Sequence, residues 1–250
     1  MMTSSQKIFK VLEFLCANGP HKALEISKKL DLQKSSVHRF LNSLIEFGYV
    51  HKDTRNGTFS ATLKVAQLGA MASRRFDLLE TAKKHIRDIH AHYGQFSISF
   101  GTLIDSRVFV VHREMPANTI IHLDMNQEIP AYCTGIGKAL LSTRSEEEID
   151  EYIRTVPRTA YTAKTLVDGQ QLKDSIMQAK INGYAQDDGE LYDPLHCLAV
   201  PIITASSTPW ALSLSSHRAV VQEYGVENII KYLKQTVWNM TSGCNVDPMF

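Results

Sequence analysis

Residues 22–60, KALEISKKLDLQKSSVHRFLNSLIEFGYVHKDTRNGTFS, decide the fold class of this chain. Ala23, Ile26 and Leu30 mark the apolar edge of a short helix, and Asp31-Leu32 is a turn. From Ser35 onward, Val37, Phe40, Leu41, Leu44 and Ile45 recur at the three- and four-residue spacing of another helical stripe, which Gly48 ends. Tyr49–Lys52 and Thr58–Ser60 then read as two short strands across Asp53-Thr54-Arg55-Asn56-Gly57, whose Asn-Gly pair is a hairpin signal. Upstream, Ile8, Val11, Leu12 and Leu15 give one apolar face to a helix from about Ser5 to about Ala17, with Ser4 or Ser5 as its cap. Asn18-Gly19-Pro20 breaks the chain after it. Three helices and a hairpin in this order predict a winged helix-turn-helix.

The polar side of the third helix points to the partner. Lys34, Ser35, Ser36, His38, Arg39, Asn42 and Ser43 are cations, hydroxyls, an imidazole and an amide, with no carboxylate before Glu46. Such a surface suits the major groove of double-stranded DNA, between two rows of phosphates. Lys52 and Arg55 near the hairpin tip are placed for the phosphate backbone or the adjacent minor groove. The same pattern also fits a small core with a solvated face, and charge separates the two readings. Residues 1–60 hold nine Lys+Arg against five Asp+Glu, a net of +4, which leaves 18 against 21, a net of −3, for residues 61–250. Basic charge is concentrated where the motif is.

At 250 residues and 44% hydrophobic, the chain has enough apolar material for a substantial core and one or two domains. The composition shift near residue 60 favours two. No apolar run approaches the ~20 residues that a membrane span needs, and the N-terminus leads into an amphipathic helix without a signal-peptide core, so a cytoplasmic protein is expected. Cys16, Cys133, Cys197 and Cys244 are widely spaced with no Cys-x-x-Cys pair, which argues against a disulfide framework or a zinc finger.

Leu63, Ala66, Leu68, Ala70 and Met71 predict a connecting helix, Ser73–Asp77 interrupts it, and a second helix is expected from Leu78 to Tyr93, ended by Gly94. These two helices either carry dimer contacts and a signal or simply cover the sheet that follows. Strands are expected at Phe96–Leu103, Val108–His112 and Thr119–Leu123, with turns at Asp105-Ser106 and Pro116-Ala117-Asn118. A loop and helix follow at Cys133–Ser142, helices near Glu146–Thr155 and Gln170–Asn182, then strands at Leu198–Ile203 and Trp210–Ser215 and a final helix at Val221–Met240. Antiparallel strands flanked by helices make an α+β sensory domain the expected architecture.

One constellation there carries chemistry. Tyr132-Cys133-Thr134-Gly135-Ile136-Gly137-Lys138 sets two glycines and a threonine before a helix, so free backbone N–H groups converge on an anion site, or the glycines merely allow close packing. It is not a nucleotide-binding P-loop, because Tyr132 and Ala139 stand where that motif needs Gly and Ser or Thr. Cys133, Asp187, His196 and Cys197 offer metal-ligating atoms, but adjacent His196 and Cys197 on a strand point to opposite faces. The same alternation keeps His196 from serving Cys197 as a base, and no nucleophile-base-acid set has a recognisable spacing. No enzyme, bound metal or cofactor is expected.

Taken together, Ser35-Ser36-Val37-His38-Arg39-Phe40-Leu41-Asn42-Ser43-Leu44, Gly137-Lys138-Ala139-Leu140-Leu141, Gly183-Tyr184-Ala185-Gln186-Asp187-Asp188-Gly189-Glu190 and Cys197-Leu198-Ala199-Val200-Pro201-Ile202 resemble the IclR family of bacterial transcriptional regulators, from about Ser5 to about Met240. The resemblance implies a winged helix-turn-helix (1–62), a linker helix (63–77) and a GAF-like effector-binding and oligomerisation domain (78–250), assembled as a dimer or a dimer of dimers. It implies repression as the commoner habit, with activation as the alternative; a metal-responsive regulator using Cys133, Asp187 and Cys197 is the alternative that the side chains themselves offer. The resemblance also implies that the amides of Gly135 and Ile136 face a small carboxylate metabolite, a sugar acid or keto acid, with Asp187 and Cys197 on the opposite wall and Ser213 and Ser215 completing the site. Ser213 and Ser215 alternate with Ala211 on one strand face, so their hydroxyls point the same way. Thr134, the Tyr132-Cys133 start of the loop and His196 depart from the family pattern.

Overall fold

The computed structural model describes residues 2–73, 77–116, 129–203 and 208–242. The strand expected at Thr119–Leu123 and Cys244 lie outside these residues, as do most of the turn at Pro116–Asn118 and of the break at Ser73–Asp77. The chain divides into two compact units, Met1–Asp77 and Leu78–Phe250.

In the first unit the order is α1 (Ser4–Asn18), β1 (His21–Lys22), α2 (Ala23–Leu30), α3 (Lys34–Glu46), β2 (Val50–Lys52), β3 (Thr58–Ala61) and α4 (Leu63–Ser73). Thr3, rather than Ser4 or Ser5, caps α1: its hydroxyl accepts from the Gln6 amide at 3.3 Å, and the Gln6 side chain accepts from the Thr3 amide at 2.8 Å. Asp31 takes a left-handed φ of 51° between α2 and α3, and Ser27 Oγ donates to the Leu32 carbonyl at 2.6 Å, which fixes the turn. The apolar stripes meet as read from their spacing, with Val11, Leu15, Ile26, Val37 and Leu41 fully or almost fully buried. Each such side chain stabilises the fold by roughly 1.5–3 kcal/mol relative to exposure. One strand escaped the sequence reading. β1 pairs His21 with Phe59 and Lys22 with Thr58, so the wing is a three-stranded sheet in the order β1-β3-β2.

The second unit runs α5 (Asp77–His92), β4 (Ser97–Ile104), β5 (Arg107–Glu114), β6 (Ile129–Pro130), α6 (Gly135–Leu141), α7 (Glu146–Thr155), α8 (Gly169–Asn182), β7 (Ala185–Asp188), β8 (Leu195–Ile202), β9 (Trp210–His217), α9 (Arg218–Tyr224) and α10 (Val226–Thr241). The strands form one antiparallel sheet in the order β6-β5-β4-β9-β8-β7. β6 and β7 were not read from the sequence, being two and four residues long and too short to show alternation. The single helix expected at Val221–Met240 is two, because Gly225 takes φ 79° and ends α9 before α10 begins.

Helices cover both faces of this sheet. On one face Ile98, Phe100, Leu198, Val200, Leu212 and Leu214 pack with α5 and α10. On the other, Val108, Val110, Ala185, Ala199 and Ala211 pack with α6, α7 and α8. The second face is apolar along only part of its width, and the remainder carries the polar groups described next.

Candidate functional site

Two candidate sites stand in separate units. In the first, burying Val37, Phe40, Leu41 and Leu44 turns the opposite side of α3 outward, leaving Lys34, Ser35, His38, Arg39 and Asn42 exposed and Ser36 and Ser43 half-buried. Arg39 lies along the Phe40 ring, 5.4 Å from its centroid. On the wing, the Lys52 ammonium sits 5.6 Å over the Phe59 ring, and Arg55 extends into solvent 3.6 Å from Asp53. Lys28 and Lys29, exposed in the last turn of α2, add positive charge that the sequence reading did not single out; their signal was the Lys-Lys pair at the end of the helix that crosses the backbone in such motifs.

In the second unit the strand register builds a polar patch. Asp187 pairs with Cys197, Cys197 with Ser215, and Ser215 with Ser97, which makes one row across β7, β8, β9 and β4. Ala199, Ser213, Ser99 and Arg113 make the adjacent row on the same face. Ser213 and Ser99 are 2% and 6% exposed in the middle of the sheet, where an apolar side chain would contribute more to the core. The hydroxyls are weakly engaged: Ser213 Oγ donates to the Ser99 carbonyl and Ser215 Oγ to the Ser97 carbonyl, both at 3.5 Å. The Ser213 side chain also hydrogen-bonds the Cys197 thiol.

Gly135 and Ile136 close one end of the patch, at the start of α6. Thr134 caps that helix, its hydroxyl accepting from the Gly137 amide at 3.2 Å. The Gly135 and Ile136 amides face the Cys197 thiol, which burial pushes up to about 12 with help from the nearby Asp187 carboxyl. Cys133 is likewise pushed up to about 12, by burial and then by Asp187. Neither thiol ionises near neutral pH, so neither is an activated nucleophile. Burial lifts the Asp187 carboxyl to about 7, against the Glu190 amide that donates to it at 2.6 Å. Behind it Lys138 and Glu190 form an almost wholly buried ion pair, with Glu190 Oε2 lacking a hydrogen-bond partner among the described residues.

The structure brings Gly135, Ile136, Asp187, Cys197, Ser213 and Ser215 to one face. His196 is on the other, with both ring nitrogens buried and without a hydrogen-bond partner among the described residues, and its pKa lowered by burial. No three His, Cys, Asp or Glu side chains are grouped as metal ligands among the described residues. Arg113 and Ser99 were not read from the sequence. Strict alternation along Val108-Phe109-Val110-Val111-His112-Arg113 sets Arg113 on the face opposite Val108 and Val110. A bulge between Phe100 and Gly101 on one strand and His112 and Val110 on its partner leaves Val111 without a register partner and returns Arg113 to their face. Arg113 Nε donates to Ser99 Oγ at 3.0 Å.

Known proteins share both halves of the chain. The IclR helix-turn-helix domain matches residues 4–54, and the C-terminal domain of the bacterial transcriptional regulator IclR matches residues 70–241. The HTH-type transcriptional regulator KdgR of Escherichia coli (strain K12) is 28% identical over 202 residues, 80% of this chain and 76% of its own length. The transcriptional repressor IclR of the same strain is 25% identical over 206 residues, 81% of this chain and 75% of its own. Among solved structures, an IclR homolog from Microbacterium hydrocarbonoxydans complexed with 4-hydroxybenzoate has the same fold, with a TM-score of 0.81 at 19% identity over 96% of this chain and 98% of that one.

Proposed function

The chain belongs to the IclR family of bacterial transcriptional regulators, and we propose that it is a repressor whose affinity for its operator is controlled by a small carboxylate metabolite. It is a DNA-binding regulator and not an enzyme. The observation that carries the metabolite reading is the buried serine pair Ser99 and Ser213 in the middle of the large sheet, bordered by Arg113 and Cys197. Buried serine hydroxyls in mid-sheet, one bonded to the Arg113 guanidinium at 3.0 Å and one 3.5 Å from a carbonyl and bonded to the Cys197 thiol, are poor core and good ligand contacts. A relative named as a repressor and a fold neighbour holding an aromatic acid support the same reading.

In this reading residues 1–62 are the DNA reader, 63–77 the linker and 78–250 the effector and assembly domain. Lys34, Ser35, Ser36, His38, Arg39 and Asn42 enter the major groove, while Lys52 and Arg55 contact the backbone beside it. Gly135, Ile136, Asp187, Cys197, Ser213 and Ser215 line the effector site. The regulator works in the cytoplasm as a dimer or a dimer of dimers; among the described residues no helix is long and apolar enough to cross a membrane. Support for self-association comes from α4, where Leu63, Leu68 and Met71 are 87%, 54% and 60% exposed, an apolar surface that a second copy would cover. Two readers must match half-sites about 34 Å apart or a multiple of that, so an effector that shifts the linkers changes operator affinity.

The test is fluorescence anisotropy with the DNA upstream of the chain's own gene. Binding at low salt that weakens steeply with added salt, and weakens again with a carboxylate that raises the melting temperature, is the expected result. Absence of any DNA affinity at low salt contradicts the reader, and affinity untouched by every stabilising acid contradicts the control.

A further inference from the structure

At the end of the large sheet far from the serine rows, the β4–β5 turn, β6, α7 and the loop after α7 enclose a cavity of about 360 Å³. Ile104, which ends β4 beside the turn, is five positions from Ser99, roughly 17 Å at the rise of a strand, so this cavity is separate from the face read above as the effector site. We propose that it is a second small-molecule site, for an uncharged planar ring carrying a hydrogen-bond acceptor, and that the Tyr152 hydroxyl donates to that acceptor. The proposal does not depend on the effector reading.

Tyr152, on the cavity lining, carries the argument. It is 3% exposed, and its hydroxyl has no hydrogen-bond partner among the described residues. The Tyr132 backbone amide faces its oxygen, but an amide is a donor, so the hydroxyl's own proton is left without an acceptor. Burial pushes the Tyr152 pKa up, which keeps that proton in place at neutral pH. Tyr152 also borders an adjoining cleft with Glu147, Glu148 and Glu151, yet none of these carboxylates comes within bonding distance of the hydroxyl. A buried donor in this condition is rare in a settled core, and the cavity beside it is of the size that holds a small ligand.

The walls specify the rest of the ligand. The Tyr132 hydroxyl donates to the Thr159 carbonyl and accepts from the Thr159 amide, both at 2.8 Å. These bonds tie the loop after α7 across the cavity and leave the Tyr132 ring as a flat wall, 28° from parallel with the exposed ring of Tyr161. Thr165 Oγ accepts from the Tyr161 amide at 3.0 Å, which fixes the backbone under that second ring. Pro130 and Val156 add apolar surface. At the mouth Asp105 and Arg107 are both exposed and opposite in sign, so the entrance favours neither an anion nor a cation. Flat apolar walls, a neutral mouth and one buried donor match a ring with a single polar acceptor.

The experiment is isothermal titration of the full chain with acetophenone, whose carbonyl is the acceptor, and with ethylbenzene, a ring of similar size that has none. Wild type is expected to bind both. Tyr152→Phe should weaken acetophenone about 3- to 10-fold and leave ethylbenzene unchanged, because only one neutral hydrogen bond is lost. Without ligand this variant should melt no lower than wild type, since the hydroxyl has no partner to lose; a markedly lower melting temperature would show a hydroxyl already satisfied and would overturn its role. Tyr161→Ala, at an exposed wall, should weaken both compounds, and Ser213→Ala, on the effector face, should weaken neither. Equal weakening of both compounds in Tyr152→Phe overturns the hydrogen bond. Failure of wild type to bind acetophenone overturns the site, as does binding that is lost in Ser213→Ala and kept in Tyr152→Phe and Tyr161→Ala.

Discussion

Gly135 and Cys197 touch across the gap between α6 and the large sheet: a Cβ on Gly135 would come within 2.9 Å of the Cys197 sulfur and 3.0 Å of its carbonyl oxygen. Two positions on, a Cβ on Gly137 would lie 2.2 Å from the Ala131 carbonyl oxygen and 2.3 Å from its Cα. The Cys197 thiol is able to rotate and its carbonyl has to give by only a few tenths of an ångström, whereas the Ala131 backbone, at 2.2–2.6 Å, would have to move much further. Gly137→Ala is therefore expected to cost about 3 kcal/mol or more in urea unfolding, and Gly135→Ala about 1–2 kcal/mol. Equal costs would mean that α6 moves as a body and that the contact at Cys197 is not separately tight.

Lys138 and Glu190 are paired where neither reaches water. Removing one partner leaves a buried charge, so Lys138→Met should destabilise the unit by about 3–5 kcal/mol at neutral pH. Replacing both, Lys138→Met with Glu190→Leu, should recover most of that loss. A double variant as unstable as the single one would show that the pair is needed for the Thr165 hydroxyl's bond to the Glu190 carbonyl, 2.6 Å long, rather than for its charge balance.

Asp187 makes a pH prediction whose sign follows from its environment. In the folded chain burial holds its proton to a pKa of about 7, while in the unfolded chain it titrates near the ordinary value of about 3.9. Between about pH 4 and 7 the folded state thus binds more protons than the unfolded state, and stability falls as pH rises through that window, by at most about 4 kcal/mol. Asp187→Asn removes this slope, so the variant should gain on wild type at pH 8 and not at pH 4, read from urea midpoints across the range. Glu190, also raised by burial, retains a slope of the same sign in the variant. Parallel stability curves for the two proteins would place the Asp187 carboxyl in a far wetter setting.

These residues also mark where sequence reasoning reached and where it stopped. The helix-turn-helix was legible because its core depends on local periodicity: Val37, Phe40, Leu41 and Leu44 announce a buried face without knowledge of their partners. That Ser213 and Ser215 share one strand face was legible for the same reason, alternation within one strand, whereas their choice as site residues came from the family resemblance. Arg113 was hidden because its face depends on a bulge set by strand pairing, which no window of β5 alone contains. β1 was hidden because two residues have no period, and pairing with β3 across the wing creates it. The Gly225 break was present in the sequence, yet the apolar spacing on both sides of it reads as one continuous stripe.

On the reading face, Arg39 and Lys52 should fail in different ways. Arg39 is exposed on α3 beside the half-buried Ser36, in the stretch that a recognition helix presents to base edges. Lys52 is on the wing strand β2, over Phe59, where a phosphate rather than a base is its natural partner. Arg39→Ala and Ser36→Ala are thus expected to erase discrimination at particular operator positions, by about 1–3 kcal/mol for each good base contact. Lys52→Ala should weaken every sequence alike and reduce the dependence of affinity on salt by about one phosphate contact. Anisotropy titrations on the operator and on single-base variants, at two salt concentrations, distinguish these outcomes. If all three substitutions weaken every sequence equally, Arg39 and Ser36 contact phosphates, and base reading falls to Asn42, His38 or the residues before them on α3.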